Sequence, residues 1–359
     1  MRLCFLADAG SANTQVWVNY FAESLGHDVH VASLSRARCL SPAVTLHQLG
    51  ETRDTRSMRS KLGFLAQTGR IRELVREISP DIVVGYRVAS YGYVGARTGF
   101  HPLAVVAQGQ RIVYPAHSLA KMRSVRIALK TADIINSWAP HMTDRLVKLG
   151  ADPEKILTCP RGIDLGKFAR PSGSAPAEFT VVSTRGLNKH YGADIVLRAS
   201  SLASERLGNV RTAIAGGGEA ESALKELAKD LSATTDVWFA GEIPNDELPS
   251  LLGRSDVYVS AVRTDGVSAS LLEAMACGCF PIVTDNAANR LWVEDGVNGF
   301  LVAAPDPHAF AAAMVRAMDD PTLRLRARDE NLRIVRERAD MSVNMRTISD
   351  AYQELVTSG

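Results

Sequence analysis

No stretch of the 359-residue sequence approaches 18 consecutive apolar residues, so nothing in it reads as a membrane-spanning helix. No secretory leader is expected either, because Met1-Arg2 leads into only a short apolar-leaning run before Asp8. The net charge is only +2 and single-sign tracts are absent, which gives no reason to expect nucleic acid as the main partner. The five cysteines (Cys4, Cys39, Cys159, Cys277 and Cys279) show neither zinc-ligand spacing nor an even-numbered framework. Buried thiols in a reducing compartment are therefore expected, with no metal site and a cytoplasmic location. The dinucleotide fingerprint G-x-G-x-x-G is lacking too, which argues against a nicotinamide enzyme. Arginines do gather around 53–76 and 322–337, but apolar residues interleave them at helical spacing, as on solvated helix faces. For the first cluster, peripheral contact with the inner surface of a membrane stays open.

What is present is alternation. Short apolar runs at 2–8, 28–34, 81–86, 102–108, 133–138 and 155–160 are separated by helical patterns such as 14–26 and 59–78. The segment FARPSGSAPAE (168–178) then reads as a linker. After it the alternation restarts, with strands expected at 178–184, 209–216, 236–241, 256–262, 280–285 and 299–302, and only helices beyond 306. A chain of this length exceeds one ordinary core and fits two domains. The expected fold is α/β, with two doubly wound, Rossmann-like parallel sheets: 1–167, the linker, 179–341, and a last helix at 342–359. Two such sheets facing one another would place a ligand in the crevice beyond their strand ends.

Four segments of the second half follow expected strands. In STRGLNKHYG (183–192), Arg185 and Lys189 are cations at a strand end, suited to a phosphate or diphosphate; a solvated loop explains them equally well. In AGGGE (215–219), Gly216, Gly217 and Gly218, followed by Glu219, would let backbone approach an anion, although a tight turn is the commoner reason for such a run. WFAGEI (238–243) ends an aromatic strand, where Gly241 and Ile243 are better ligand candidates than Trp238 and Phe239, which are expected to pack in a core. In TDGVSASLLEAMACGCFPIVTD (264–285), Gly266, Val267 and Ser268 would form the first turn of a helix whose amides and positive dipole end suit a diphosphate. Glu273, about one and a half turns further on, could accept hydrogen bonds from a ribose diol or serve as structural partner to an arginine. Asp265 could hold hydroxyls of a second sugar.

Taken together, these segments resemble the donor domain of the GT-B glycosyltransferases, most closely the retaining family 4 (group 1) enzymes. Their E-x7-E stretch is matched by Asp265-Gly266 through Glu273-Ala274-Met275-Ala276, Gly278 and Pro281. Arg185 and Lys189 resemble the family's diphosphate-binding pair, with Tyr191-Gly192 competing for the second position. Gly216–Glu219, Phe239-Ala240-Gly241 and Glu294-Asp295-Gly296 with Asn298-Gly299 are similar to further family turns. More loosely, Pro160-Arg161-Gly162-Ile163-Asp164 with Phe168, and the N-terminal Asp8, Asn13-Thr14 and Trp17, resemble the acceptor half. The resemblance implies metal-independent, retaining transfer of a sugar from a nucleotide diphosphate sugar to a hydroxyl, with no resident cofactor. It also implies that Gly10 lies near the donor, that Arg185, Lys189 and the helix amides hold the leaving diphosphate, and that Glu273 holds the ribose and Asp265 the sugar. The final helix would cross back to the first domain.

The sequence departs from that pattern in places. The first acid of the pair is Asp265 rather than glutamate. Where many relatives carry a histidine, residues 108–111 read Gln108-Gly109-Gln110-Arg111, and Arg111 would favour an anionic acceptor or pair with a neighbouring acid. Gln108 and Asn13 complete the acceptor-side candidates. Asn289-Arg290 precedes Leu291, where many relatives have an acid. A non-catalytic sugar-nucleotide-binding or partner subunit of the same fold is the alternative reading, and an epimerase acting on the nucleotide sugar is a distant third.

Overall fold

The computed structural model describes residues 1–37, 39–50, 67–108, 119–170, 179–208, 210–231 and 235–358. The chain divides into two compact units, one of residues 1–161 with 342–359 and the other of residues 162–341. The division falls at Arg161–Gly162 and Met341–Ser342 rather than in the Pro/Ser-rich stretch. Phe168, at the start of that stretch, is buried in the core of the second unit, and residues 171–178 lie outside those described.

In the first unit seven parallel strands are ordered β3-β2-β1-β4-β5-β6-β7. They are β1 (Arg2–Leu6), β2 (Asp28–Ser33), β3 (Val44–Gln48), β4 (Ile82–Tyr86), β5 (Leu103–Ala107), β6 (Ile134–Ser137) and β7 (Ile156–Thr158). The central runs IVVGY and LAVVA are buried at every position, as strands covered by helices on both faces require. The helices are α1 (Ala12–Asn19), α2 (Thr68–Ile78), α3 (Tyr93–Thr98), α4 (Leu119–Thr131), α5 (Pro140–Lys148) and, from the chain's end, Met341–Ser358. That last helix puts Tyr352 into this unit's core, where its ring stacks on Phe21 with centroids 6.0 Å apart. The 14–26 pattern forms α1 and a one-turn π segment, Tyr20–Ser24. Of the 59–78 pattern, α2 covers the second half, and the first half lies outside the described residues.

In the second unit six parallel strands are ordered β10-β9-β8-β11-β12-β13: β8 (Thr180–Ser183), β9 (Arg211–Ala215), β10 (Asp236–Gly241), β11 (Val257–Ser260), β12 (Phe280–Thr284) and β13 (Phe300–Val302). The helices are α6 (Ala193–Leu207), α7 (Glu221–Asp230), α8 (Leu248–Gly253), α9 (Ala269–Ala276), α10 (Pro307–Asp319) and α11 (Pro321–Ala339). One strand had no signal in the sequence reading: β3, an edge strand whose Val44 alone is buried. A second correction concerns Trp238. Expected in the core, it is 49% exposed, because β10 is an edge strand and alternates its side chains outward. Its neighbour Phe239 packs against the core as expected.

Candidate functional site

The strand order of the second unit reverses between β8 and β11. In a doubly wound sheet the crevice at the carboxyl ends of such a pair is where ligands bind. The residue two places past β8 is Arg185, and the loop after β11 carries Asp265. The two meet: Arg185 Nη2 donates to Asp265 Oδ2 at 2.7 Å, each side chain only 10% exposed. Arg185 Nη1 donates to Ser268 Oγ at 2.8 Å, and its guanidinium lies 4.5 Å from the centre of the Tyr191 ring. Its third guanidinium nitrogen, Nε, is buried and has no hydrogen-bond partner among the described residues. Burial, the largest influence, would by itself lower the Arg185 guanidinium, but the Asp265 carboxylate together with Tyr258 and Tyr191 outweighs it and raises it above the ordinary value.

Each partner is itself held. Asp265 Oδ1 accepts from the Gly266 amide at 2.8 Å. Ser268 caps α9, its Oγ accepting from the Leu271 amide at 3.2 Å. The helix therefore begins at Ala269, three residues later than expected, with Gly266 and Val267 in the approach to it. Glu273 projects from α9 among buried Leu271, Leu272, Ala274 and Met275; it is half-buried and already has an interaction partner within the protein. Beneath Arg185 lies Tyr258, fully buried, whose phenol is pushed up by burial and drawn partly back by the guanidinium.

The three-glycine turn has a structural reason. A Cβ at Gly216 would lie 2.5 Å from the Arg185 carbonyl oxygen, and one at Gly218 would lie 2.2 Å from that of Leu187. Hydrogen bonds close the same contact, from the Leu187 amide to the Gly217 carbonyl and from the Ala220 amide to the Leu187 carbonyl, each 2.9 Å. Thus the turn after β9 forms the floor that fixes the loop bearing Arg185, and Gly217 lies against Glu242. Gly241 bonds back to Gly216, its carbonyl accepting the Gly216 amide at 2.7 Å; Ile243 is half-buried and Glu219 exposed. Lys189 is exposed on the 3-10 turn Lys189–Tyr191, and it is Tyr191 that lies against Arg185. Tyr191, which the sequence reading set in competition with Lys189 for the second position, is the one of the two in contact with the guanidinium.

Other parts of the motif are architectural. Asn298 donates to the Trp292 carbonyl at 2.8 Å and to Asn331 at 2.7 Å, and Asp295 accepts from the Leu301 amide, so this turn ties β13 to α11. Arg290 pairs with Asp285, and Asn289 donates to the Thr284 carbonyl. Of the 322–337 arginines, Arg333 bridges Glu330 and Glu337 on the surface of α11, as expected for a solvated face.

In the first unit the strand order reverses between β1 and β4. Gly10 follows β1, its amide held by Asp8 at 3.1 Å. Asn13, exposed on α1, accepts from Arg161 at 3.4 Å through its side chain and from Tyr86 at 3.4 Å through its carbonyl. Arg87, the residue after β4, has φ +88, a value that non-glycine residues seldom adopt and that marks a site worth testing. Nothing in the sequence singled it out beyond its place after a strand. Gln108 Oε1 is buried without a partner among the described residues, and Arg111 lies outside them. Of the 53–76 cluster, Arg70 and Arg72 donate to the Leu49, Thr98 and Arg97 carbonyls, and positions 53–66 are likewise outside. Among the described residues no three His, Cys, Asp or Glu side chains gather as metal ligands would, and no helix is long and apolar enough to cross a membrane.

Comparison with known proteins gives two family matches. Residues 167–333 match the family model described as glycosyl transferases group 1, and residues 2–138 match that described as glycosyl transferase 4-like. A putative glycosyltransferase EpsD of Bacillus subtilis is 28% identical over 181 residues, 50% of this chain and 47% of its own. The GDP-mannose-dependent alpha-(1-6)-phosphatidylinositol monomannoside mannosyltransferase of Mycolicibacterium smegmatis is 26% identical over 251 residues, 65% of each chain. The chain thus matches about half to two thirds of the length of these relatives. Among solved structures, Anabaena HepE in complex with UDP and glucose superimposes with a TM-score of 0.80 at 17% identity, covering 99% of this chain and 100% of that one. The chain, with its two Rossmann-like units, accordingly has the GT-B fold.

Proposed function

The chain belongs to the group 1 glycosyltransferases, and from that premise we propose that it moves a sugar from a nucleotide diphosphate sugar to a hydroxyl acceptor, with retention and without a metal. The observation that carries this reading is the buried Arg185–Asp265–Ser268 cluster at the strand-order reversal of the second unit. A nucleotide donor is further supported by the likeness to HepE, a protein solved with UDP and glucose.

Charge grows on the diphosphate as its bond to the sugar breaks, so catalysis needs a fixed cation aimed at it. Arg185 is fixed by Asp265, Ser268 and the Tyr191 ring, and the N–H groups those two bonds leave unused, Nε–H among them, can donate to a phosphate oxygen. Amides at the start of α9 add the positive end of a helix dipole. Asp265 accepts two hydrogen bonds within the protein and retains lone pairs for a sugar hydroxyl, and Glu273 takes the ribose diol. Retention follows if the acceptor oxygen attacks the face from which the diphosphate leaves. The acceptor proton passes to the departing phosphate oxygen, so no carboxylate nucleophile is required.

One observation favours a second reading, a subunit that binds the nucleotide sugar without turning it over. Asp265 already balances the charge of Arg185, and Lys189 is exposed on its turn. Incubation of the purified chain with UDP-, GDP-, dTDP- and ADP-sugars separates the two, with melting temperature and nucleotide release both recorded. Binding with release supports transfer, binding without release across an acceptor panel supports the second reading, and no binding overturns both.

A further inference from the structure

Helix α4 of the first unit carries two opposed faces. Val125, Ala128 and Leu129 are buried against the unit. On the outward side, Leu119, Met122, Arg123, Arg126, Ile127 and Lys130 recur at the i, i+3, i+4, i+7, i+8 and i+11 spacing of a single helical stripe, and together they line an open depression of about 410 Å³. Leu119 is 92% exposed, the most exposed of the large apolar side chains among the described residues.

The charge of this stripe is uncompensated. Arg123, Arg126 and Lys130 form no ion pair among the described residues. The helix, LAKMRSVRIALKT, contains no acid. Neither do the elements most extensively packed against it: the turn Arg87–Gly92, α3 and β5. Such a surface attracts anions, but its aliphatic side chains have no use for a free polyanion. A second copy of the same face would bring three like charges against it.

We propose that the outward stripe of α4 docks the protein on an anionic lipid surface. Leu119, Met122 and Ile127 enter the boundary between headgroups and acyl chains. The two arginines and the lysine lay their aliphatic stems along it and place their charges among lipid phosphates. Each Lys or Arg near an anionic leaflet strengthens partitioning about fivefold, so the three together supply roughly 100-fold, a contribution that salt screens. This inference does not rest on the donor reading of the second unit and survives or fails apart from it.

The test is flotation of the whole chain with vesicles of phosphatidylcholine alone and of phosphatidylcholine with an equal part of phosphatidylglycerol. The expected result is binding to the anionic vesicles, loss of that binding at about 0.5 M salt, and little binding to the neutral ones. The variant Arg123→Gln/Arg126→Gln/Lys130→Gln should lower anionic binding roughly 100-fold, and Leu119→Ser/Met122→Ser should lower it as well. Both should leave the melting temperature unchanged, since these side chains face away from the core. The proposal is overturned if the wild type ignores anionic vesicles, or if either folded variant binds as well as the wild type. It is also overturned if sedimentation shows the chain self-associating through Leu119 instead.

Discussion

Replacing Asp265 by Asn removes one charge from the Arg185 pair while keeping the side chain's size. The pair is 2.7 Å apart with both side chains 10% exposed, so charge centres about 4 Å apart at an effective dielectric near 20 attract by about 4 kcal/mol. Desolvation of the intact pair offsets much of that. Breaking it leaves Arg185 buried and unpaired, and such losses run at about 3–5 kcal/mol. Asp265→Asn should therefore destabilise the second unit by about 3 kcal/mol, a fall of about 6–12 °C in Tm for a unit of this size. Arg185→Met should act similarly. The double variant Arg185→Met/Asp265→Asn should lose less than the sum, with a coupling of at least about 2 kcal/mol. Urea unfolding of the four proteins gives the cycle. Single effects that add to within about 0.5 kcal/mol, or an Asp265→Asn protein as stable as the wild type, would refute the claim that the two residues act as one unit.

Other consequences follow from the same structure. Gly218→Ala drives a Cβ to 2.2 Å from the Leu187 carbonyl, and should destabilise by about 1–3 kcal/mol and displace the Arg185 loop; an unchanged Tm would mean that the turn yields freely. Glu273→Ala should weaken nucleotide-sugar affinity by about 2–5 kcal/mol through two lost charge-assisted hydrogen bonds, whereas unchanged affinity would make Glu273 structural. Only Cys39 is exposed among the five cysteines, so a thiol reagent at neutral pH should modify one site quickly and the rest only after unfolding. Burial pushes the Cys4 and Cys277 thiols up to about 12. Their folded-state values lie above the unfolded one, so that part of the stability is complete below about 9 and lost as pH rises towards 12. A urea midpoint that did not fall across that range would contradict it.

Much of the fold was legible because parallel strands buried on both faces announce themselves as continuous apolar runs, as IVVGY and LAVVA do. The segment VTLHQ escaped because an edge strand needs no such run. Trp238 misled for the complementary reason: an aromatic residue in a strand says nothing about which face it takes when that strand ends the sheet. At the site, Arg185 and Asp265 were each visible as polar residues following a strand. That they bind each other was not, since they are 80 residues apart and meet only because β8 and β11 are neighbours. Lys189 and Tyr191 occupy one turn, and the loop geometry, rather than residue type, decides which lies against the guanidinium.

The nucleotide-sugar affinity of the Arg185→Met/Asp265→Asn protein bears most directly on the proposed site. The ligand is whichever of the four nucleotide sugars raises the wild-type melting temperature most, and calorimetric titration measures both proteins once the unfolding cycle has shown the variant folded. A site that grips diphosphate through Arg185 should lose about 100-fold in affinity, as expected for charge-assisted hydrogen bonds of about 1.5–3 kcal/mol each. Equal affinity in the two proteins would place the diphosphate elsewhere and remove Arg185 from the site.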